Sequence, residues 1–358
     1  MIGRLRNLFG KSGTEPKADE LVSLAPAASA AAVSQPDMAE TERRLTTAVA
    51  EAERKGGDGV AVGDALNLLA DFMMKHQRLV EAEQALRRVL AIEDAATPAR
   101  SDRLVMALTN LASTCRYMGN KPEAEQLYRR AIELCDRSTG ITDALAVTVA
   151  ENLAVLYSEE GRYAETVPLQ VRSVALRERI HGPADEMLIT PLDNLARLYR
   201  HLQRYADAEA TLRRLVALLE SLRGPNHSDV AHHLHFLVDA CFNQGHDAEA
   251  EKLCRRTLGI YEKAVPTDLV GGAATLANLA QILGRQGRFD EAEKSYKEAL
   301  LTIDVGGEAC RSIGIHVLNA YSTFLRQRGR EAEAQAQTTR AAALSAAAAP
   351  ASGQSAGP

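Results

Sequence analysis

Three side chains of the kinds that bind metal ions or protons lie close together in the sequence. His232, His235 and Asp239 are spaced i, i+3 and i+7, so a helix would place them on one face. Imidazole and carboxylate groups are common zinc ligands, but one helix would supply at most a partial site here. We therefore interpret these residues as part of a solvated surface without a metal, whose histidines make its charge sensitive to pH.

A basic group precedes these residues. Arg197, Arg200 and His201 also share one helical face. The flat fork of an Arg guanidinium binds a carboxylate through two hydrogen bonds, so the group suits an acidic motif or a C-terminal carboxylate of a partner. That interpretation needs both arginines to be exposed. The alternative is that they pair with acidic residues of the same chain, Asp193 and Glu151.

The motifs that usually carry catalysis are absent from the sequence. It has no phosphate-binding glycine loop, no nucleophile elbow and no Cys-x-x-Cys pair. We therefore predict a protein that is not an enzyme and that uses no cofactor.

The composition restricts the class of partner and the cellular compartment that we expect for the protein. A net charge of −5 argues against a nucleic-acid partner, and the lack of Trp leaves little for base stacking. The five cysteines are an odd number, which favours reduced thiols in a cytoplasmic protein. The sequence contains no stretch of 18 apolar residues, so it predicts no membrane span.

The polar groups belong to a repeated unit of 42 residues. A small residue recurs at this period without a slip, and a Leu-Ala pair and a Gly or Gln keep the same period. Seven such units predict stacked copies of one supersecondary element, because each copy packs only on its neighbours. The small-residue column consists of Ala82, Ala124, Thr166, Ala208, Ala250, Ala292 and Ala334.

Each unit has the pattern of two helices joined by a short turn. In the third unit Val149, Leu153, Leu156 and Tyr157 form an apolar face at helical spacing. The second helices carry Glu and Arg or Lys at i and i+4, which predicts solvated ion pairs of about 0.2–0.5 kcal/mol each. These pairs are Glu83–Arg87, Glu125–Arg129, Glu209–Arg213, Glu251–Arg255 and Glu293–Lys297.

The domain boundaries follow from the repeats and from the composition around them. We predict a disordered leader and linker over residues 1–36, an N-terminal capping helix over 37–57, the repeat array over 58–346 and a disordered tail over 347–358. The first eleven residues are basic, with Ile2, Leu5, Leu8 and Phe9 at amphipathic spacing. We favour a disordered leader there, with membrane contact as the alternative.

At this point the sequence resembles a known family. Residues 152–157 read Asn-Leu-Ala-x-Leu-Tyr, and residues 287–293 read Gly-Arg-Phe-Asp-Glu-Ala-Glu. Both stretches look like parts of a tetratricopeptide repeat. The 42-residue period and the Gly-Pro-Asn-His linker at 224–227 are similar to the long-helix subtype found in kinesin light chains.

The resemblance implies a fold and a function. The fold would be all-α: a right-handed α-α superhelix, or solenoid, of about seven helix hairpins with an N-terminal capping helix. Its first helices would line a concave groove that binds a peptide or protein segment, so the chain would be a non-catalytic scaffold. The alternatives are a peptide-responsive sensor that controls a bound enzyme, and a membrane-attached assembly factor. The implied groove residues are Asn67, Thr109, Arg116, Tyr117, Glu151, Asp193, Arg197, Arg200, His201, His232, His235, Asp239, Asn243, Arg285, Asn319 and Arg326.

Overall fold

A computed structural model describes residues 38–56, 59–96, 101–138, 140–263 and 268–346. Secondary structure in these residues is helical throughout, with no strand. The predicted leader and tail lie outside the described residues. None of the described helices is long and apolar enough to cross a membrane.

Helix α1 spans Met38–Lys55, within the range where the sequence predicts a capping helix. The chain divides into two units at Arg44. Of the first unit the structure describes residues 38–44, where Arg43 donates to Glu40 at 3.0 Å. In the second unit Val49 and Ala52 of α1 are buried, and Val49 belongs to the same apolar cluster as Leu66 and Leu69.

The helices that follow α1 form seven consecutive hairpins in the described residues, which confirms the predicted all-α solenoid. Two short 3₁₀ segments, Glu186–Leu188 and Gly307–Cys310, precede the first helices of repeats four and seven. The hairpins are α2 (Val60–Lys75) with α3 (Leu79–Asp94), α4 (Ser101–Tyr117) with α5 (Lys121–Arg137), α6 (Asp143–Glu159) with α7 (Tyr163–His181), α8 (Ile189–His201) with α9 (Tyr205–Arg223), α10 (Ser228–Asn243) with α11 (Asp247–Tyr261), α12 (Leu269–Arg285) with α13 (Phe289–Gly306), and α14 (Arg311–Gln327) with α15 (Glu331–Ala346).

Small residues set how closely the two helices of a hairpin approach. All six alanines of the small-residue column are completely buried, and Thr166 is 2% exposed. Each lies in the first turn of a second helix. A methyl group at this position leaves the first helix room to pack directly on the second, so the column is a steric requirement of every hairpin.

The turns inside the hairpins share one backbone conformation. Gly119, Gly161, Gly245, Gly287 and Gly329 all take a left-handed φ between 70° and 82°. The residue after each returns its N–H to the carbonyl five positions earlier, as Arg162 does to Tyr157 at 2.8 Å, which is the Schellman pattern. Gln77 and Gln203 adopt the same conformation, with φ of 61° and 57°. A side chain costs energy there, so repeats one and four carry local strain.

Ion pairs connect the second helices of successive repeats, and the sequence analysis missed them. An Arg on one second helix bonds an acid on the preceding one, and the two residues are always 36 positions apart. We call this set the arginine ladder. Its members are Arg130–Asp94, Arg172–Asp136, Arg214–Glu178, Arg256–Glu220 and Arg340–Asp304.

The predicted i, i+4 pairs on the second helices all form. Three of these glutamates also bond an arginine in the turn of the next repeat. Arg162 bonds Glu125 at 2.7 Å, and Arg330 bonds Glu293 at 2.5 Å. These guanidiniums hold the pKa of Glu125 and the pKa of Glu293 down at about 2. Neighbouring repeats are therefore joined by charge as well as by apolar packing.

Replacing one alanine of the small-residue column should overpack its hairpin. Ala208→Leu should lower the free energy of unfolding by about 1–3 kcal/mol, because no space surrounds its buried methyl group. Denaturant unfolding measures this. Ala206→Leu, an exposed position two residues earlier, is the control and should change stability by less than about 0.5 kcal/mol. Equal effects at both sites would contradict the steric requirement.

Relieving the strained turn should stabilise the array. Gln203→Gly gives repeat four the residue that five other repeats already use, so we expect a gain of about 0.5–1 kcal/mol. Thermal unfolding would detect this gain. The reverse change in repeat five, Gly245→Gln, should lower the melting temperature, and an increase there would refute the explanation.

Candidate protein-binding surface

We call the outward side chains of the seven first helices the first-helix face. Neighbouring first helices touch directly: the Asn110 amide donates to the side chain of Asn67, one repeat earlier, at 3.4 Å. Thr114 likewise contacts the sulfur of Met74. Because first helix packs beside first helix, residues about 42 positions apart in sequence become neighbours.

The two polar groups singled out in the sequence meet on this face at repeats four and five. We call them together the basic–histidine cluster: Asp193, Arg197, Arg200 and His201 on α8, and His232, His233, His235, Phe236 and Asp239 on α10. Two contacts join the helices. Arg200 pairs with Asp239 at 3.0 Å, and the ring of His233 reaches Asp193 at 3.4 Å.

Arg200 is committed to contacts within the protein. Besides its bond to Asp239, its guanidinium lies over the ring of Phe236, 4.3 Å from the centroid. Only 26% of its side chain is exposed. The expectation that Arg200 is exposed is therefore wrong, because the acid and the aromatic ring of the next repeat cover it.

Arg197 differs from Arg200 in its surroundings. Its side chain is 54% exposed, and its guanidinium lies 4.0 Å from the Asp193 carboxylate. Burial opposes ionisation of Asp193, but the His233 hydrogen bond and the nearby cationic groups outweigh it, so the pKa of Asp193 lies below its ordinary value. Asp193 therefore contacts both His233 and Arg197. The side of the Arg197 guanidinium that faces away from Asp193 is open to solvent.

The predicted alternative, pairing of the arginines with Asp193 and Glu151, is correct only for Arg197 and Asp193. Glu151 accepts from Ser173 at 2.6 Å and from Arg177 at 2.9 Å. Both partners lie on α7, the second helix of the same hairpin. Glu151 is therefore held inside repeat three, away from the arginines of repeat four.

The histidines pack against one another and against Phe236. The His232 ring meets His233 edge-on at 5.1 Å and Phe236 at 4.8 Å. Burial lowers the pKa of His235 and the pKa of His232, since desolvation disfavours the imidazolium. Asp239 acts in the opposite direction on His235. Desolvation therefore disfavours the charged forms of His232 and His235, which lie beside two acids and two arginines.

Among the described residues, three potential metal ligands come within 4.8 Å of one another at Glu83, Cys115 and Glu123 rather than at the histidines. Arg87 already bonds both glutamates, at 2.6 and 2.7 Å. Burial and these two acids raise the pKa of Cys115 to about 11, which disfavours the thiolate that a metal would need.

The other predicted residues are placed as follows. Thr109 is buried and donates to the Val105 carbonyl at 2.6 Å, so its prediction as a partner contact is wrong. Arg116 is only 13% exposed and pairs with Glu159 of the next repeat, whereas Tyr117 beside it is 63% exposed. Asn67 is half-buried and donates to the Gly63 carbonyl at 3.1 Å.

Towards the end of the array the predicted residues also bond within the chain. Asn243 donates to Asp239 at 3.0 Å. Arg285 bonds Asp247 at 2.8 Å and the Phe242 carbonyl at 2.7 Å, both in repeat five. In repeat seven Arg326 contacts Glu331 and Thr338, and Asn319 is exposed.

Two aromatic residues of the surface were missed in the sequence. Phe236 takes the position where other repeats have Asn110, Asn152, Asn194 and Asn278, so this break in the column was the available signal. Tyr163 meets the ring of His201 edge-on at 4.4 Å. It begins the second helix of repeat three, and no pattern in the sequence connects it with repeat four.

The fold and this surface define a helical-repeat scaffold, and the comparisons name its family. The tetratricopeptide repeat family model matches residues 61–137, 145–221, 188–263 and 229–301. The chain belongs to the tetratricopeptide repeat family, whose repeats form protein-interaction scaffolds. No curated protein sequence matches it significantly.

Several solved structures are similar to the chain. BtubC (BKLC) from P. vanneervenii is 18% identical, with 75% of this chain and 91% of that chain covered and a TM-score of 0.42. A tetratricopeptide repeat protein from Parabacteroides merdae is 17% identical over 79% and 93%, with a TM-score of 0.41. A STAND protein with a tetratricopeptide repeat sensor from Pyrococcus horikoshii is 10% identical over 87% and 45%, with a TM-score of 0.49.

The partly buried His235 should make stability depend on pH. An unfolded histidine titrates near pH 6.5, and the folded pKa of His235 is lower. Between these values the unfolded chain binds more protons, so stability should fall as the pH drops below about 6.5. His235→Gln should reduce that loss when melting temperatures at pH 7.5 and pH 5.5 are compared. His181→Gln, at an exposed position, is the control, and an unchanged pH dependence in His235→Gln would contradict the assignment.

Proposed function

We propose that the first-helix face at repeats four and five binds an acidic segment of a partner protein, without catalysis. The observation that carries this proposal is the position of Arg197. It is the most exposed of the predicted arginines whose pairs are described above, and its guanidinium faces solvent beside Asp193, an acid that His233 also contacts. An arginine in this setting keeps donors available for a second carboxylate.

The rest of the cluster positions this arginine. Arg200 and Asp239 fix α8 against α10, and Phe236 supports the Arg200 guanidinium. His201 is exposed one turn after Arg197 and adds a second donor on the same side. A carboxylate of the partner would contact Arg197 first, while the neighbouring rings exclude water from the contact.

The exposed apolar residues extend the surface towards the N-terminal repeats. Met106 and Tyr117 of repeat two and Val155 of repeat three are 39–63% exposed on the first helices. Isolated apolar groups are ordinary on a surface, but these three lie on first helices, and Tyr117 is one of the predicted groove residues. We infer a partner segment that is acidic near repeat four and apolar near repeats two and three.

Charge reversal at Arg197 tests the proposal. Arg197→Glu should remove bound partners, because it sets two acids side by side where the partner's carboxylate would bind. Arg200→Glu is a poor test, since it would break the bond to Asp239 and disturb the array itself. The measurement is affinity capture from the native cell lysate, compared by mass spectrometry, with folding checked by circular dichroism.

Lys252→Glu is the matched control, because it makes the same charge change on the exposed side of α11, a second helix. Partners lost from Arg197→Glu and kept by Lys252→Glu would support the proposed face. Partners kept by both folded variants would refute it. The sensor and membrane alternatives gain no support from the described residues, and the basic leader lies outside them.

A further inference from the structure

A cavity of about 470 Å³ lies between repeats two and three, outside the basic–histidine cluster. It opens where α5 ends, α6 begins and α7 ends. Its apolar lining consists of Cys135, Ile141, Ala146, Ala175 and Leu176. Ala146, Val147 and Leu176 form a small cluster of their own, separate from the larger apolar cores of the array. The size is within the range of small-molecule sites in proteins.

The internal repeats show why this interface is hollow. Between repeats six and seven a residue of a second helix faces a residue of the next first helix, since a Cβ on Gly314 would lie 3.0 Å from Ile303. The equivalent positions at the other interfaces follow from the 42-residue period. Between repeats four and five the two positions hold Leu219 and Val230, both fully buried. Between repeats two and three they hold Cys135 and Ala146. Both side chains are small only at this interface, and the cavity opens beside them.

The other interfaces each have at least one large side chain at these two positions, and they supply the comparison. The pairs are Glu93 with Leu104, Arg177 with Leu188, Tyr261 with Gly272, and Ile303 with Gly314. A gap without compensation normally costs stability, because its lining loses packing contacts. An interface that keeps such a gap is a candidate for a ligand that restores those contacts.

The charged residues at the rim of the cavity indicate whether the ligand would be charged. Two ion pairs form it: Arg172 with Asp136 at 2.7 Å, and Arg179 with Asp143 at 3.0 Å. Each guanidinium already has its own carboxylate, so the rim has no net charge to neutralise. The flat face of a guanidinium also packs well on an aromatic ring. An uncharged body fits both the rim and the apolar floor.

We propose that the cavity between repeats two and three binds a small uncharged molecule with an aromatic body. The ring would fill the space that Leu or Val occupies at other interfaces, against Ala146 and Leu176, with the two arginines at its edges. Binding would stabilise the junction between repeats two and three. The site is independent of partner binding at Arg197.

The probe for this site is N-phenyl-1-naphthylamine, an uncharged dye that fluoresces in apolar surroundings. We expect saturable binding to the full-length protein with a stoichiometry of one. Ala146→Leu copies Leu188 of the next repeat, so it should occupy the inner part of the cavity, raise the melting temperature and weaken dye binding about tenfold or more. Ala144→Leu, an exposed position on the same helix, should leave binding unchanged.

A second readout needs no variant. Four of the five cysteines are buried, and Cys135 is partly exposed at the cavity. Iodoacetamide should therefore modify Cys135 first, and saturating dye should slow that reaction, as followed by intact-protein mass spectrometry.

Three results would overturn the proposal. One is the absence of saturable dye binding to the wild-type protein, and another is an unchanged Cys135 reaction rate at saturation. The third is equal dye binding by folded Ala146→Leu. The sulfonated analogue 1-anilinonaphthalene-8-sulfonate should bind more weakly than the neutral dye, and tighter binding would refute the uncharged ligand.

Discussion

The structure depends on close packing between the two helices of each hairpin and between neighbouring hairpins. The fully buried alanines at 42-residue spacing allow each second helix to lie directly on its first helix. No hairpin buries its apolar face alone, so each needs the next one. Every longer-range feature of the protein follows from this, because residues far apart in sequence meet only where two repeats stack.

Charge is arranged by the same periodicity. The arginine ladder and the turn arginines place a guanidinium of one repeat on a carboxylate of the one before it. Most charged side chains of the second helices are thereby satisfied within the chain. The first-helix face differs at repeats four and five, where Arg200 is paired but Arg197 stays largely exposed. This exposed cation on the first helices is the observation on which the proposed binding surface rests.

Residues that depart from the repeat pattern make individual repeats of this chain different from the others. Phe236 replaces an asparagine of its column and lies under Arg200, which makes the cluster of repeats four and five unlike the others. Cys135 and Ala146 replace larger residues and leave a cavity at one interface. Gln77 and Gln203 occupy a turn conformation that suits glycine, so the consensus is not followed even where it would be more stable.

The sequence alone determined the fold, the number of repeats and the i, i+4 pairs, because these depend on local spacing that repeats without insertion. It also identified the arginines of the cluster and its histidines other than His233. Only the tertiary structure decided which of them are exposed: Thr109 is buried, Arg200 is covered by Asp239 and Phe236, and Glu151 is held by Arg177. The physical reason is that the exposure of a side chain and its ion-pair partner depend on the neighbouring helix. That neighbour belongs to a different repeat or to the other helix of the hairpin, so helical spacing within one segment does not reveal it.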